Sequence, residues 1–481
     1  MFSKSDKDIF YKLCIIIIFT LGIILRSYSF IIYRPLWRDE CSLALSIYFG
    51  SFSDLWGVLY HVQSAPPIFM TICKLINGIN PYFPEYFLRI FPYVCGVISI
   101  YLFFLVSKKF FKSKYAIIIS NFAFAINMQL IYYSHEFKQY STDVMITLAC
   151  ILYLSGLNLS NLSKKQILIN AAILALLPLL SISSLFVIAA WLFICLLKKN
   201  NIKSLILTFI PIFFINILYY LFILKPSQEI MLDKYGFLWE KGFLSFNFDS
   251  IYYVLQNNLS FYFQQCNHII IPIILTLVGL IFAIRRNSEI DKLIVTFFLI
   301  VIVASFMSLY PIQERVSLYL LPLIILLTVM PLNLSNRIWM KILCSIFIFC
   351  ILFGKNHYSI IDHNYENPAL MMQIIKAKYM KNDFVIYNDV SDSQYEIYSY
   401  IYSFRVPDNR LGRIQLADYG EEWYYSVLDQ LPKGNRYWFF YSYDIVTKPV
   451  ITFLKNWAHK NGQILYELNP NHKSYLLYVQ L

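Results

Sequence analysis

The feature that most constrains this chain is its punctuation, in which apolar runs near twenty residues long, each closed by charge, recur from residue 13 to residue 354. A bilayer core about 30 Å thick is crossed by about 20 apolar helical residues. A charge at its centre costs at least about 2.5 kcal/mol, so charges collect where the chain leaves the bilayer. Eleven spans are expected, at 13–32, 90–107, 115–132, 142–157, 166–181, 184–197, 204–224, 268–284, 291–309, 316–332 and 338–354. Residues 166–197 are nearly continuous, and read as a hairpin of two spans or as one long helix with a re-entrant piece. With 58% hydrophobic and 14% charged residues, the chain has too little polar material to clothe a soluble protein of its length. The predicted class is a polytopic α-helical membrane protein.

The first run, Cys14 to Leu25, has the length of a signal-peptide core, yet no small-residue cleavage site follows and apolar character resumes at Tyr28, Phe30 and Ile32. It is read as an uncleaved first helix. Arg26 falls in its outer half, where it either snorkels to the surface or faces the bundle interior.

Basic residues settle the expected orientation. Alternate ends of the spans hold Lys4, Lys7 and Lys12, Lys108 to Lys114, Lys164 and Lys165, Lys198 to Lys203, Arg285, Arg286 and Lys292, and Arg337 and Lys341. By the positive-inside rule these ends are cytoplasmic. Residues 34–89, 133–141, 181–184, 225–267, 310–315 and everything after 355 then face outside. The net charge of +12 belongs wholly to the first 354 residues, since 13 Lys+Arg balance 13 Asp+Glu beyond them. A membrane-part excess is what topology requires, and a nucleic-acid partner is not expected. Nine scattered cysteines show no metal-ligand or disulfide spacing.

The tail changes period. Short β-rich runs at Phe384–Tyr387, Tyr437–Tyr443, Ile464–Leu468 and Tyr475–Val479 alternate with helical stretches at Pro368–Lys381 and Lys448–Lys460. The expected division is a membrane domain over 1–354, whose first outer loop is 33–89, and an extracytoplasmic α/β domain over 355–481.

Four polar clusters emerge on the outer side. Arg34-Pro35-Leu36-Trp37-Arg38-Asp39-Glu40 puts two acids just after the first span, where a solvated helix N-terminus is the plain reading. His61-Val62-Gln63-Ser64-Ala65-Pro66-Pro67 precedes a short apolar helix, Ile68 to Ile76, that suits the interface, and Arg89 closes that segment. Tyr133-Ser134-His135-Glu136-Phe137-Lys138-Gln139-Tyr140-Ser141 joins the third and fourth spans, and a solvated loop is its plain reading. Arg315 follows Glu314 immediately before an apolar helix, where its guanidinium suits a phosphate at headgroup depth or simple snorkelling.

With Trp37-Arg38-Asp39-Glu40, Pro66-Pro67, Leu88-Arg89, the Tyr133 to Tyr140 loop, and Arg315 with its downstream Pro322, the chain resembles the GT-C membrane glycosyltransferases that use polyprenyl-phosphate sugars. The branch is family 39, the protein-mannosyltransferase-like and bacterial aminoarabinose-transferase-like enzymes. The resemblance runs over most of residues 10–330, and the tail matches only in position. It implies an integral glycosyltransferase of the plasma (inner) membrane, working in envelope glycosylation with its site outside. A sugar would pass from the lipid phosphate to a lipid, glycan or protein acceptor. The family's first-loop acid carries over to Asp39, with Glu40 beside it as helper or substitute, and a carboxylate there takes the acceptor's proton. Cations and donors must steady the leaving phosphate, and the candidates are Lys138, Arg315, Arg89 and Tyr140. Lys138 stands where many bacterial relatives carry another residue. Arg38, His61, Gln63, His135 and Glu136 would line the substrate cavity. Spacing does not decide whether a divalent metal bridges Asp39, Glu136 and His135 or His61.

Rival classes make different demands. A transporter concentrates ionisable groups within its spans, which here are almost free of charge apart from Arg26. A scaffold would rely on the tail alone, and a lipid-linked oligosaccharide polymerase or ligase would differ in the size of what it moves.

Overall fold

The computed structural model describes residues 4–159, 162–198, 202–262, 270–334, 366–387, 391–404, 428–442, 444–469 and 473–481. The chain divides into two compact units, one of Met1–Ile31, Ser64–Cys73 and Arg89–Ile360, the other of Ile32–Gln63, Lys74–Leu88 and Ile361–Leu481.

The first unit is helical. Ten of the eleven expected spans coincide with helices, among them Lys4–Ile31, Ile90–Phe110, Tyr140–Leu154, Ile270–Arg286 and Glu289–Phe306. The eleventh, 338–354, lies outside the described residues. Among the described residues, four helices are long and apolar enough to cross a membrane, Asp8–Ile31, Pro84–Phe110, Ile202–Asp233 and Glu314–Asn333, and a fifth if the bent pair Lys114–Ile126 and Met128–His135 counts as one. Their environments differ. Only 17% of the apolar window is buried in Asp8–Ile31 and in Ile202–Asp233, against 89% in Glu314–Asn333. Ile16, Ile17, Ile24, Phe213 and Phe214 point out of the protein, a cost in water and the normal state against lipid.

Local chemistry explains the ends and breaks. Residues 166–197 are not one helix, because Pro178 follows the end of Lys164–Leu176 and a fresh helix starts at Ser183. The expected 204–224 span runs further than its charge boundary, continuing through a π-turn at Tyr220–Leu224 into Lys225–Trp239, where Pro226 sits in the first turn and breaks nothing. The Arg285-Arg286 turn is tied down by Arg286, which donates to the Phe110 carbonyl at 2.6 Å and pairs with Asp291.

The Lys114–Ile126 helix bends by 52° into the next segment. Asn127 makes the break, its Oδ1 accepting from the Gln129 and Leu130 amides at 3.0 and 3.1 Å. That leaves the Ala125 carbonyl without its ladder donor, and Arg26 supplies one at 2.9 Å while also donating to Gly22 O at 3.1 Å. Arg26 is 1% exposed and 5.7 Å from the Phe124 ring centre, so it faces the bundle interior and does not snorkel.

The second unit holds a four-stranded sheet. Its strands are β1 (Asp383–Tyr387), β2 (Arg436–Tyr441), β3 (Gln463–Leu468) and β4 (Tyr475–Gln480), in the order β1-β2-β4-β3. The first pair is parallel and the other two antiparallel. Central β2 and β4 are buried almost throughout and read as unbroken apolar runs, whereas edge strand β3 alternates. Helices Pro368–Lys378 and Asp444–Asn461 match the reading of the tail, and Asp392–Ile401 is a further helix that reading lacked. The Arg38–Phe49 helix packs within this unit against Asp392–Ile401. Its last carbonyls, of Ile47 and Gly50, accept from Lys74 Nζ.

Candidate functional site

The sequence-derived site residues divide between the units. Arg38, Asp39, Glu40, His61 and Gln63 belong to the second, and Arg89, His135, Glu136, Lys138, Tyr140 and Arg315 to the first.

In the second unit, the Arg38–Phe49 helix carries Asp39 and Glu40 in its first turn. The two acids occupy different surroundings. Glu40 is wholly buried, its Oε2 accepting from the Trp37 amide at 3.3 Å and standing 3.6 Å from Arg34 Nη2. Asp39 is only half-buried. A carboxylate in the first turn is favoured by the helix dipole, and Glu40 answers an amide there while Asp39 keeps an accessible face.

A third acid stands beside them. Glu366, 6% exposed, accepts from the Arg38 amide at 2.9 Å and from Gln394 Nε2. Burial raises its carboxyl to about 8; the Arg38 amide pulls the other way, and the Asp39 charge adds to the rise. Ser393 Oγ donates to the Arg38 carbonyl at 3.4 Å, and the Tyr398 hydroxyl accepts from the Leu36 amide at 2.8 Å. Tyr398 in turn donates to Glu85 at 3.0 Å, which also receives Tyr33 at 3.2 Å. The loop before the acids is thus held by side chains more than three hundred residues away. His61, in the left-handed region at φ 50°, points Nε2 at Glu396, 3.5 Å off.

In the first unit the Tyr133 to Ser141 segment is not a solvated loop. Ser134, Glu136 and Phe137 are fully buried, and Tyr133, His135, Lys138, Tyr140 and Ser141 nearly so. His135 Nδ1 lies 3.1 Å from Ile131 O, and Tyr133 packs edge-on against Tyr140. The Tyr133 hydroxyl lies within the fields of both Glu136 and Arg315, which brings those two charges to one neighbourhood. Arg315 is half-buried on a pinned segment. Asn258 Nδ2 donates to Ile312 O at 2.9 Å and Tyr262 OH to Ser317 O at 2.7 Å. Arg89, 4% exposed, begins the Ile90–Phe110 helix.

Sequence reading missed Glu366, Gln394, Ser393 and Tyr398, for which no local signal exists. It also missed Asp143, for which one did, an acid within an apolar run. Asp143 is buried near the start of Tyr140–Leu154, where Ser181 Oγ donates to its Oδ1 at 2.6 Å and Ser183 Oγ to its carbonyl at 3.2 Å. The spans are therefore less free of charge than the sequence suggested. Within neither unit, among the described residues, do three His, Cys, Asp or Glu side chains gather closely enough to hold a metal ion.

At the level of fold alone, the chain has counterparts among solved structures. The chain is similar over its length to the crystal structure of ArnT from Cupriavidus metallidurans in the apo state, with a TM-score of 0.56, 11% identity, and coverage of 96% of this chain and 97% of that one. It is likewise similar to ArnT from the same organism bound to undecaprenyl phosphate, with a TM-score of 0.51, 10% identity, and coverage of 99% and 98%. No protein-family model and no curated protein matches the sequence.

Proposed function

We propose that this protein is an integral-membrane glycosyltransferase that moves a sugar from a polyprenyl-phosphate donor to an acceptor on the extracytoplasmic face of the plasma membrane, with Asp39 as general base. One observation carries the reading: the likeness in fold to ArnT extends over nearly the whole of both chains, and one of those structures holds undecaprenyl phosphate. The environments of the two first-loop acids support Asp39 as the reacting one. Glu40 already serves a backbone amide inside the protein, whereas Asp39 is half-exposed.

In the transfer, an acceptor hydroxyl or amine attacks the anomeric carbon. The bond from that carbon to the lipid phosphate oxygen breaks, the phosphate leaves with the electron pair, and Asp39 takes the acceptor's proton. Lys138, Arg315, Arg89 and Tyr140 steady the departing phosphate. Buried cations act more strongly than solvated ones, which the burial of Lys138 and Arg89 favours. Residues 33–89 and 355–481 lie outside in this reading, and the acceptor is a lipid, glycan or protein. Because no ligand set assembles within either unit among the described residues, no step is assigned to a metal.

The test uses purified protein with a panel of polyprenyl-phosphate-linked hexoses and pentoses, scored by release of free polyprenyl phosphate. Asp39→Asn keeps the shape and removes the base, so turnover falls at least ~100-fold with undecaprenyl phosphate binding kept, and Glu40→Gln does less. Near-parental turnover in Asp39→Asn would sink the assignment and make Glu136 the next base to test.

A further inference from the structure

The Arg38–Phe49 helix opens with an amide that its own ladder cannot serve, since the first four N–H groups of any helix lack internal acceptors. The usual remedy is a side chain at the N-cap, and here that residue is Trp37, which has no oxygen. The acceptor comes instead from Glu366, 328 residues along the chain, at 2.9 Å from the Arg38 amide. Gln394 donates to the same carboxyl oxygen.

The rest of the peptide group is held as well. Ser393, next to Gln394, donates to the Arg38 carbonyl, and Tyr398, one helical turn further on, accepts from Leu36. One helix, Asp392–Ile401, therefore engages residues 36–38 at two backbone points and orients Glu366 at a third. Glu366 is anchored in its turn, for the next residue, Asn367, caps the Pro368–Lys378 helix through Leu370 N at 3.2 Å and donates its own amide to Ser474 Oγ at 2.8 Å. Nothing in this arrangement touches a reacting atom. What it determines is where the first turn of the helix, and hence the Asp39 carboxylate, points.

We propose that Glu366, oriented by Gln394, is a positioning residue for the Asp39 base, so that the C-terminal segment sets the geometry of catalysis through the first turn of the Arg38–Phe49 helix. The inference rests on the reading of Asp39 given above, and goes beyond it by giving the C-terminal segment a part in the chemistry.

The test combines four variants with two readouts. Glu366→Ala removes the acceptor, and a misplacement of the base by an ångström or so lowers kcat ~10- to 100-fold, with KM for the lipid-linked donor and binding of undecaprenyl phosphate within about threefold of the parent. Glu366→Gln keeps a carbonyl acceptor for the Arg38 amide and restores kcat to within about fivefold. Gln394→Leu leaves Glu366 in place without its guide and lowers kcat at least about threefold. In an Asp39→Asn background Glu366→Ala adds no further loss, because the group it positions is gone. Hydrogen exchange of a peptide covering residues 36–42 is the second readout, and Glu366→Ala and Gln394→Leu raise it at least about tenfold while Glu366→Gln does not.

Parental kcat in Glu366→Ala, a Glu366→Gln no better than the alanine, or parental exchange in Gln394→Leu overturns the proposal. Should Glu366→Ala fail to fold, Glu366→Gln and Gln394→Leu decide between the same outcomes. Should no donor on the panel turn over, exchange alone decides. Normal turnover in Asp39→Asn with faster exchange in Glu366→Ala would refute the base and keep the positioning, so the two failures are told apart.

Discussion

Replacing Arg26 by Met tests whether a buried cation in the first helix stabilises the bundle or merely survives in it. Two effects oppose each other. Removing the guanidinium relieves the desolvation of a charge that is 1% exposed, which alone would favour Met. It also takes a donor from two carbonyls. Gly22 lies inside the Lys4–Ile31 helix, whose own ladder serves its carbonyl, so little is lost there. Ala125 is different. The Gln129 amide that would serve it donates to Asn127 instead, and without Arg26 the Ala125 carbonyl is buried with no partner among these groups. A buried acceptor left unmade costs about 1–3 kcal/mol, and loss of the contact with the Phe124 ring adds about 0.5–1 kcal/mol. The acceptor term wins, so Arg26→Met lowers the unfolding temperature by a few degrees. A thiol-reactive fluorogenic dye reads this directly, because the thiols of Cys95 and Cys150 are buried in the same unit. Arg26→Lys, a point charge with shorter reach, falls between the two. Unfolding of Arg26→Met at or above the parental temperature would refute the reasoning, showing that desolvation and not the broken helix governs this site.

Three other expectations follow from the same structure. Lys138→Gln and Arg315→Gln each lower the affinity for undecaprenyl phosphate tenfold or more, the loss of one charge-assisted contact of about 1.5–3 kcal/mol, and the double variant does not add; snorkelling predicts instead that Arg315→Gln alters stability and leaves affinity alone. For orientation, cysteines at exposed Gln463 and Lys112 should label from outside at the first and not at the second in intact cells, and the reverse pattern would overturn the topology. Glu366 makes stability pH-dependent with a definite sign. Its folded carboxyl titrates at about 8 against an ordinary 4.5, so above pH 4.5 the unfolded state gives up a proton that the folded state keeps. The contribution of Glu366 to stability therefore falls as pH rises through this window and is gone above about 8. Glu366→Gln flattens the slope of unfolding temperature between pH 5 and 8, and an unchanged slope would place the titration elsewhere.

The sequence by itself determined what depends on local composition and period. Apolar runs closed by charge specify where helices lie against lipid, because each helix satisfies its own backbone and needs no distant partner; ten of eleven expected spans are helices for that reason. Runs such as Trp438-Phe439-Phe440 and Leu476-Leu477 likewise announced buried strands. The Asp39-Glu40 pair was legible as a candidate because two acids after a first span are rare in so apolar a chain. Tertiary structure decided the rest. The helix Asp392–Ile401 has little apolar stripe to read, since around Ile397 its buried residues are Asp392, Ser393, Gln394, Tyr395, Tyr398 and Ser399, and Ser393, Gln394 and Tyr398 make sense only against the groups they hold. The Tyr133 to Ser141 segment looks like a solvated loop until packing removes it from water. Arg26 had two allowed places, and the orphaned carbonyl at a helix break chose one. Glu366 meets Arg38, and Asp143 meets Ser181, through contacts that link distant segments. Such pairings leave no trace in spacing or periodicity, because a hydrogen bond depends on where the fold brings two groups and not on how far apart they stand in the chain.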